Sequence, residues 1–246
     1  MRIMISNDDG ILAPGIAALT RAFSDAGYEV IVCAPDGQRS AASHSLSIGR
    51  PVSVRKTQLD GAAQAYAIGG TPADCIKLGM TVLHGDCAAV VSGINCGYNV
   101  GSDILYSGTV AAAMEGAICG VPALAVSQPY ARGDYAQAAA LAVEVFEKMM
   151  ADRPAPYTVW NLNYPECDCP RGLVTADMGH LYYNEKYVLE GSEDGCDMYV
   201  LNGVVDAEKK QSDDYEKLLE GFATLTVLHA NLMDTKAQQA LKMKLL

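Results

Sequence analysis

Short apolar runs alternate with stretches of helical periodicity through the first two thirds of the chain. Arg2 to Ser6 is an apolar run ending in Asn7-Asp8-Asp9-Gly10, and Ile16, Leu19, Thr20 and Phe23 then recur at helical spacing, which predicts strand, loop, helix. That helix stops near Gly27. Glu29 to Ala34 is a second β-branched run, broken at Pro35-Asp36-Gly37, and two strands joined by a helix predict a parallel pair with a right-handed crossover.

Weaker strand signals at Val52 to Arg55 and Ala65 to Ile68 fit a hairpin at the sheet margin. Thr71-Pro72 reads as an N-cap with proline at the first helical position, opening a helix that carries Ile76, Leu78, Val82 and Leu83. Ala88 to Val91 is the next buried strand and leads into Ser92-Gly93-Ile94-Asn95. An alanine-rich helix over Thr109 to Cys119, a strand over Val121 to Ser127, a helix from about Asp134 to Met150 and a strand over Tyr157 to Leu162 continue the alternation. This order predicts an α/β fold with a doubly wound, mostly parallel sheet. Beyond Pro165 the pattern changes: Tyr182 to Leu189 and Met198 to Val205 read as antiparallel strands, Asp213 to Gly221 as a short acidic helix, Ala223 to His229 as a strand, and the rest as a polar helix. Residues 1–246 are read as one domain, with the distinctive loops in 1–130 and the remaining sheet and an extension in 131–246.

Half of the 246 residues are apolar, enough for a substantial core. A formal charge of −11 repels a nucleic-acid polymer or an anionic membrane, so an anionic ligand must be held locally, by a metal ion or a helix N-terminus. No apolar run approaches the roughly 20 residues that span a bilayer. The opening segment lacks a basic region followed by a long apolar stretch, so the eight cysteines are read as thiols in a reducing cytoplasm.

On open α/β sheets ligands bind at the carboxyl ends of the strands, and the least ordinary residues sit there. Asp8-Asp9 follows the first strand, Arg39-Ser40 the second, and Ser92-Gly93-Ile94-Asn95 a later one. Adjacent carboxylates repel unless a cation neutralises them, and two carboxylates, a hydroxyl and an amide oxygen suit a hard ion such as Mg²⁺ or Mn²⁺. Alone, Asn-Asp-Asp-Gly reads equally well as a polar turn. Gly97, Asn99, Gly101 and Ser107-Gly108-Thr109 precede the alanine-rich helix, an arrangement suited either to phosphate or to simple capping. A dinucleotide fingerprint and a Walker A loop are absent, as is G-x-S-x-G. His44, Asp74 and Asp103 are read as structural groups.

Asn-Asp-Asp-Gly, Ala-Pro-Asp-x-x-Arg-Ser, Gly-Thr-Pro-Ala-Asp-Cys, Ser-Gly-Ile-Asn-x-Gly-x-Asn and Tyr-Ser-Gly-Thr-Val-Ala-Ala-Ala-Met-Glu-Gly occur in order over about residues 1 to 130. Together they closely resemble the SurE family of metal-dependent nucleoside monophosphate phosphatases. The resemblance implies that Asp8, Asp9, Ser40 and Asn95 hold one divalent metal ion (Mg²⁺ or Mn²⁺), that Asp8 and Asp9 are catalytic, and that Asn99, Ser107, Gly108 and Thr109 face the phosphate. It implies a Rossmann-like core whose C-terminal hairpin and helix exchange contacts in a homodimer or homotetramer. The implied activity is hydrolysis of nucleoside 5′- and 3′-monophosphates and, in some members, short polyphosphate; the alternative is a regulatory protein that binds nucleotide or phosphate without hydrolysis. Tyr98, Ser43 and Val227 depart from the family pattern, while the ligand positions are intact.

Overall fold

The computed structural model describes residues 1–129 and 134–245. Its main sheet has nine strands. In chain order the elements are β1 (Arg2–Ser6), α1 (Pro14–Asp25), β2 (Glu29–Pro35), β3 (Val54–Thr57), β4 (Gln64–Ile68), α2 (Pro72–Leu78), β5 (Val90–Cys96), α3 (Gly108–Ile118), β6 (Ala123–Gln128), α4 (Ala136–Asp152), β7 (Thr158–Asn163), β8 (Leu173–Thr175), β9 (Tyr183–Glu193), β10 (Cys196–Val205), α5 (Asp213–Leu219), β11 (Ala223–His229) and α6 (Thr235–Leu245). The sheet order is β3-β4-β2-β1-β5-β6-β7-β11-β8. From β4 to β7 every neighbouring pair is parallel; β3 and β11 run against their neighbours β4 and β7.

The central strands are apolar along nearly their whole length because helices cover both faces. Ile3, Ile5, Val30, Val32, Val91, Leu124 and Val126 point into one core with α1 and α4, where Ile16, Leu19, Phe23, Val145 and Phe146 are fully or almost fully buried. Met4, Ile31, Cys33, Val90, Ala123 and Ala125 point into the other, with α2 and α3. The period-two alternation of the pleat thus sorts neighbouring residues between the two layers.

The step from β6 through α4 to β7 moves across the sheet in the same direction as β5-α3-β6, yet α4 packs on the opposite face from α3. The two crossovers therefore have opposite hands. Those through α1, α2 and α3 agree with one another, which makes β6-α4-β7 a left-handed exception to a rule that holds in about 98% of cases.

Several boundaries differ from the periodicity reading. The helix opened by Thr71-Pro72 has the capping box that its sequence suggests, with Asp74 closing it, but relaxes into a π-helical turn over Gly79–Leu83. β5 runs on to Cys96, so Ser92 to Asn95 belongs to the strand end and not to a following loop. The register slips between Ser92 and Asn95, where Gly93 has φ +141°, and such a bulge re-aims the side chains beyond it. The three-residue β8 and the 3₁₀ turn Gly101–Leu105 carry too few residues for a period to show. A division at 130/131 lies outside the described residues.

β9 and β10 form a separate antiparallel hairpin, and α6 has no buried residue. Tyr187, Leu189, Tyr199, Leu201 and Val204 on the hairpin, with Leu241, Met243 and Leu245 on α6, are exposed. Among the described residues no helix is long and apolar enough to cross a membrane.

Candidate active site

The carboxyl ends of β1, β2 and β5 converge with the first turn of α3. Asn7 closes the turn after β1, its amide donating to the Gly10 carbonyl at 2.9 Å and accepting from the Gly10 N–H at 3.2 Å. That turn is laced to the loop after β2: Ile11 N–H donates to Pro35 O at 2.9 Å and Arg39 N–H to Asp8 O at 2.7 Å. Asp8 is buried, and its carboxylate accepts the hydroxyl proton of Thr109. Asp9 accepts from the Cys96 N–H at 3.0 Å, one residue beyond Asn95. Gly108 comes so close that a Cβ there would lie 2.8 Å from the Asp8 Cβ.

Burial raises the Asp8 carboxyl from 3.8 to about 6, and the negative charge of Asp9 pushes the same way, while the Thr109 hydroxyl opposes both. Burial also raises Asp9, against the Cys96 N–H. Among the described residues neither carboxylate is ion-paired with an arginine, lysine or histidine; Arg39, the nearest cation in sequence, turns instead to Asp36 at 3.0 Å.

Of the other residues singled out in the sequence, Asn95 is half-buried and gives its amide N–H to the Gly97 carbonyl at 2.9 Å, so its amide oxygen is the atom left to act as a ligand. Ser40 is exposed and its hydroxyl accepts from Gln38 at 2.9 Å; the backbone bond from Arg39 places it on the rim beside Asp8. Ser107 is the N-cap of α3, its Oγ accepting from Val110 N–H at 3.0 Å. Thr109 turns its hydroxyl to Asp8. Asn99 is buried and its Nδ2 donates to Ser127 Oγ at 2.8 Å. Capping and packing thus occupy part of the donor set expected to face phosphate, while the Gly108 and Thr109 N–H groups lie in the first helical turn, where no intrahelical acceptor exists.

The loops are held by residues whose roles the sequence did not announce. Asn163 Oδ1 accepts from the Asn99 N–H, while Asn163 Nδ2 and Asn161 Nδ2 both donate to the Asn99 carbonyl, each at 2.9 Å. Asp214, fully buried on α5, accepts from the Gly101 N–H at 2.9 Å. The Ser40 loop is anchored at His44, which meets buried Glu115 at 2.8 Å, and at Ser47, whose N–H and hydroxyl donate to Asp74 at 2.9 and 2.7 Å. Burial works against the charge on Glu115, but the hydrogen bonds from His44 and Lys77 outweigh it and hold the carboxyl below its ordinary value. His44, Asp74 and Asp103, which bonds Tyr183, are all engaged structurally. Asn-x-Asn at the end of a buried strand was the one visible signal for the Asn99 clamp.

The whole chain has relatives with this arrangement of elements. The family model described as "Survival protein SurE" matches residues 3–185. The chain is 40% identical to the 5′-nucleotidase SurE of Clostridium beijerinckii, covering 95% of each chain. It is 41% identical to the 5′-nucleotidase SurE of Solidesulfovibrio magneticus, covering all of this chain and 98% of that one. The crystal structure of the SurE protein from Aquifex aeolicus superposes with a TM-score of 0.84 at 32% identity, over 99% of both chains. With the family model spanning most of its length and relatives of this identity matching it end to end, the chain belongs to the SurE family.

Proposed function

We propose that the protein is a divalent-metal-dependent phosphatase that hydrolyses nucleoside 5′- and 3′-monophosphates to nucleoside and phosphate, with short polyphosphate as a further substrate. The observation that carries this is the convergence of two unpaired carboxylates with a helix N-terminus at the carboxyl rim of the sheet. Relatives that carry the name 5′-nucleotidase over nearly their full length support the substrate class.

The residues present fit a hard divalent cation. Two carboxylates without a cationic partner, one already pushed towards its protonated form by the other, lose that repulsion when a cation neutralises them. Among the described residues no three His, Cys, Asp or Glu side chains form a metal-holding group, so a site here rests on hard oxygen donors. Asp8, Asp9, Ser40 and the Asn95 amide oxygen are such a set and suit Mg²⁺ or Mn²⁺. When bound, the ion supplies Lewis-acid charge to the phosphoryl group and makes a nearby water more acidic.

The chain's own residues do the rest. The Gly108 and Thr109 N–H groups, at the positive end of α3, stabilise charge on the phosphoryl oxygens. Ser107 and Thr109 fix that turn, the first by capping Val110 and the second by its bond to Asp8. Asn99 is held by Asn161 and Asn163 against the same rim. A carboxylate of the Asp8–Asp9 pair accepts the proton of the attacking water.

Phosphate release from nucleoside 5′- and 3′-monophosphates and an aryl phosphate, with Mg²⁺, Mn²⁺ or EDTA, tests this reading. Metal-dependent release that EDTA abolishes is expected. Folded protein that binds metal and nucleotide and releases no phosphate would show a binding protein instead.

We also read the hairpin and α6 as surfaces that pair with further copies, giving a homodimer or homotetramer in the cytoplasm. The support is the row of exposed apolar side chains on both elements, more than an isolated chain ordinarily leaves to water. Sedimentation equilibrium should give two or four times the 26.0 kDa chain mass, and a monomer at micromolar concentration would overturn the assignment.

A further inference from the structure

The carboxyl rim holds a second recess beyond the metal and phosphate residues. A cavity of about 240 Å³ lies between the ends of β6 and β7, lined by Gln128, Asp134, Gln137, Tyr164, Cys167 and Asp168. It begins one strand away from the candidate active site: Asn95 and Cys96 are the register partners of Ser127 and Gln128. Gly97 N–H donates to the Gln128 carbonyl at 3.1 Å, and Ser127 carries the hydroxyl that holds Asn99. A ligand with its phosphate at the first turn of α3 can therefore extend along the rim into this recess.

The chemistry of its wall is specific. Gln128 is only 5% exposed, and its Nε2 donates to the Asp134 carbonyl at 2.8 Å. Its Oε1 has no hydrogen-bond partner among the described residues. Buried amide oxygens are rarely left without a donor, so an orphan beside a cavity marks a place for one supplied from outside. On the opposite wall Gln137 accepts the Tyr164 hydroxyl proton at 2.7 Å, which leaves its exposed amide nitrogen as a donor. An acceptor and a donor facing one recess complement a base edge that presents an amino group beside a ring nitrogen, the same pairing by which glutamine reads adenine.

We propose that this cavity is the base subsite of the nucleotide and that Gln128 selects bases bearing an exocyclic amino group. The inference rests on the nucleotidase reading and adds a specificity determinant to it. The test compares the protein as it stands with Gln128→Leu on AMP, on IMP, which carries a carbonyl in place of the amino group, and on p-nitrophenyl phosphate, which has no base. Gln128→Leu should lower kcat/KM for AMP by about tenfold through KM, the effect of one lost buried hydrogen bond, and leave IMP and the aryl phosphate unchanged. An equal loss on all three substrates, or none on AMP, would overturn the assignment and leave a water as the partner of Oε1.

Calorimetric titration of AMP and IMP onto the same two proteins reads the subsite independently of turnover. A protein that binds AMP in preference to IMP but releases no phosphate refutes the nucleotidase reading and keeps the subsite. Should Gln128→Leu fail to fold, Gln137→Ala removes the donor from the exposed wall; it should raise KM for AMP about threefold, one unchanged hydrogen-bonding contact remaining, and an unaltered AMP preference would reject the proposal.

Discussion

Replacing Asp8 by asparagine is expected to lower metal-dependent phosphate release by about 10³-fold or more, the equivalent of several kcal/mol of lost charge stabilisation, while the fold remains intact. Asparagine keeps the shape of the side chain and an oxygen that can accept the Thr109 proton, so the β1–α3 contact survives. What it removes is the charge that a cation would bind. The same substitution should alter the pH dependence of the metal-free protein in a defined direction. Burial and the charge of Asp9 raise the Asp8 carboxyl from 3.8 to about 6 in the fold, so between these values the native state binds more protons than the unfolded one. Stability from this group is then full below pH 4 and falls as pH rises to about 6, by roughly 2–3 kcal/mol. Asp8→Asn should therefore raise the denaturation midpoint of the metal-free protein at pH 7 and flatten its profile between pH 4 and 6. Denaturant titrations in EDTA over that range, paired with turnover at saturating Mn²⁺, check both halves. Wild-type turnover by the variant would remove Asp8 from the site.

Asn163→Ala should have the second largest effect, on stability and on substrate affinity together. Asn163 is fully buried and makes two of the three bonds that clamp the Asn99 backbone. Its loss leaves the Asn99 N–H without an acceptor inside the protein, which costs about 2–3 kcal/mol by the usual penalty for an orphaned buried group. The Asn99 carbonyl keeps Asn161 as a donor. Asn161→Ala is therefore the internal control: it removes one bond of a shared acceptor and should cost about 1 kcal/mol. KM for a nucleoside monophosphate should rise several-fold in Asn163→Ala with metal affinity unchanged, because Asp8, Asp9 and Asn95 sit on other strand ends. Equal destabilisation by the two alanines, or an unchanged KM in Asn163→Ala, would show that the clamp does not position Asn99 for substrate.

Both variants probe a rim whose parts lie on different time-honoured levels of the sequence. Asp8 and Asp9 stand out because two carboxylates directly follow a buried strand. Asn163 lies 64 residues from the backbone it holds, and nothing local marks the pair as partners. The Ser40 loop shows the same division. Its own residues are polar and unremarkable in spacing, and its position is set by Glu115 and Asp74 on two different helices.

The sequence by itself determined the layered α/β architecture, because burial of strands on both faces requires continuous apolar runs and burial of helices on one face requires a 3.6-residue period. It also determined the Thr71-Pro72 helix start, the edge hairpin of β3 and β4, and the family, through motifs whose order no local rule would produce. Only the tertiary structure decided the left-handed passage through α4, the bulge that turns the end of β5, the short β8, and the use of Thr109 and Ser107 to brace Asp8 and cap α3. The physical reason is range: periodicity and capping are interactions among residues a few positions apart, whereas handedness, register slips and hydrogen bonds across 60 to 113 positions arise only when the packed layers bring distant segments together.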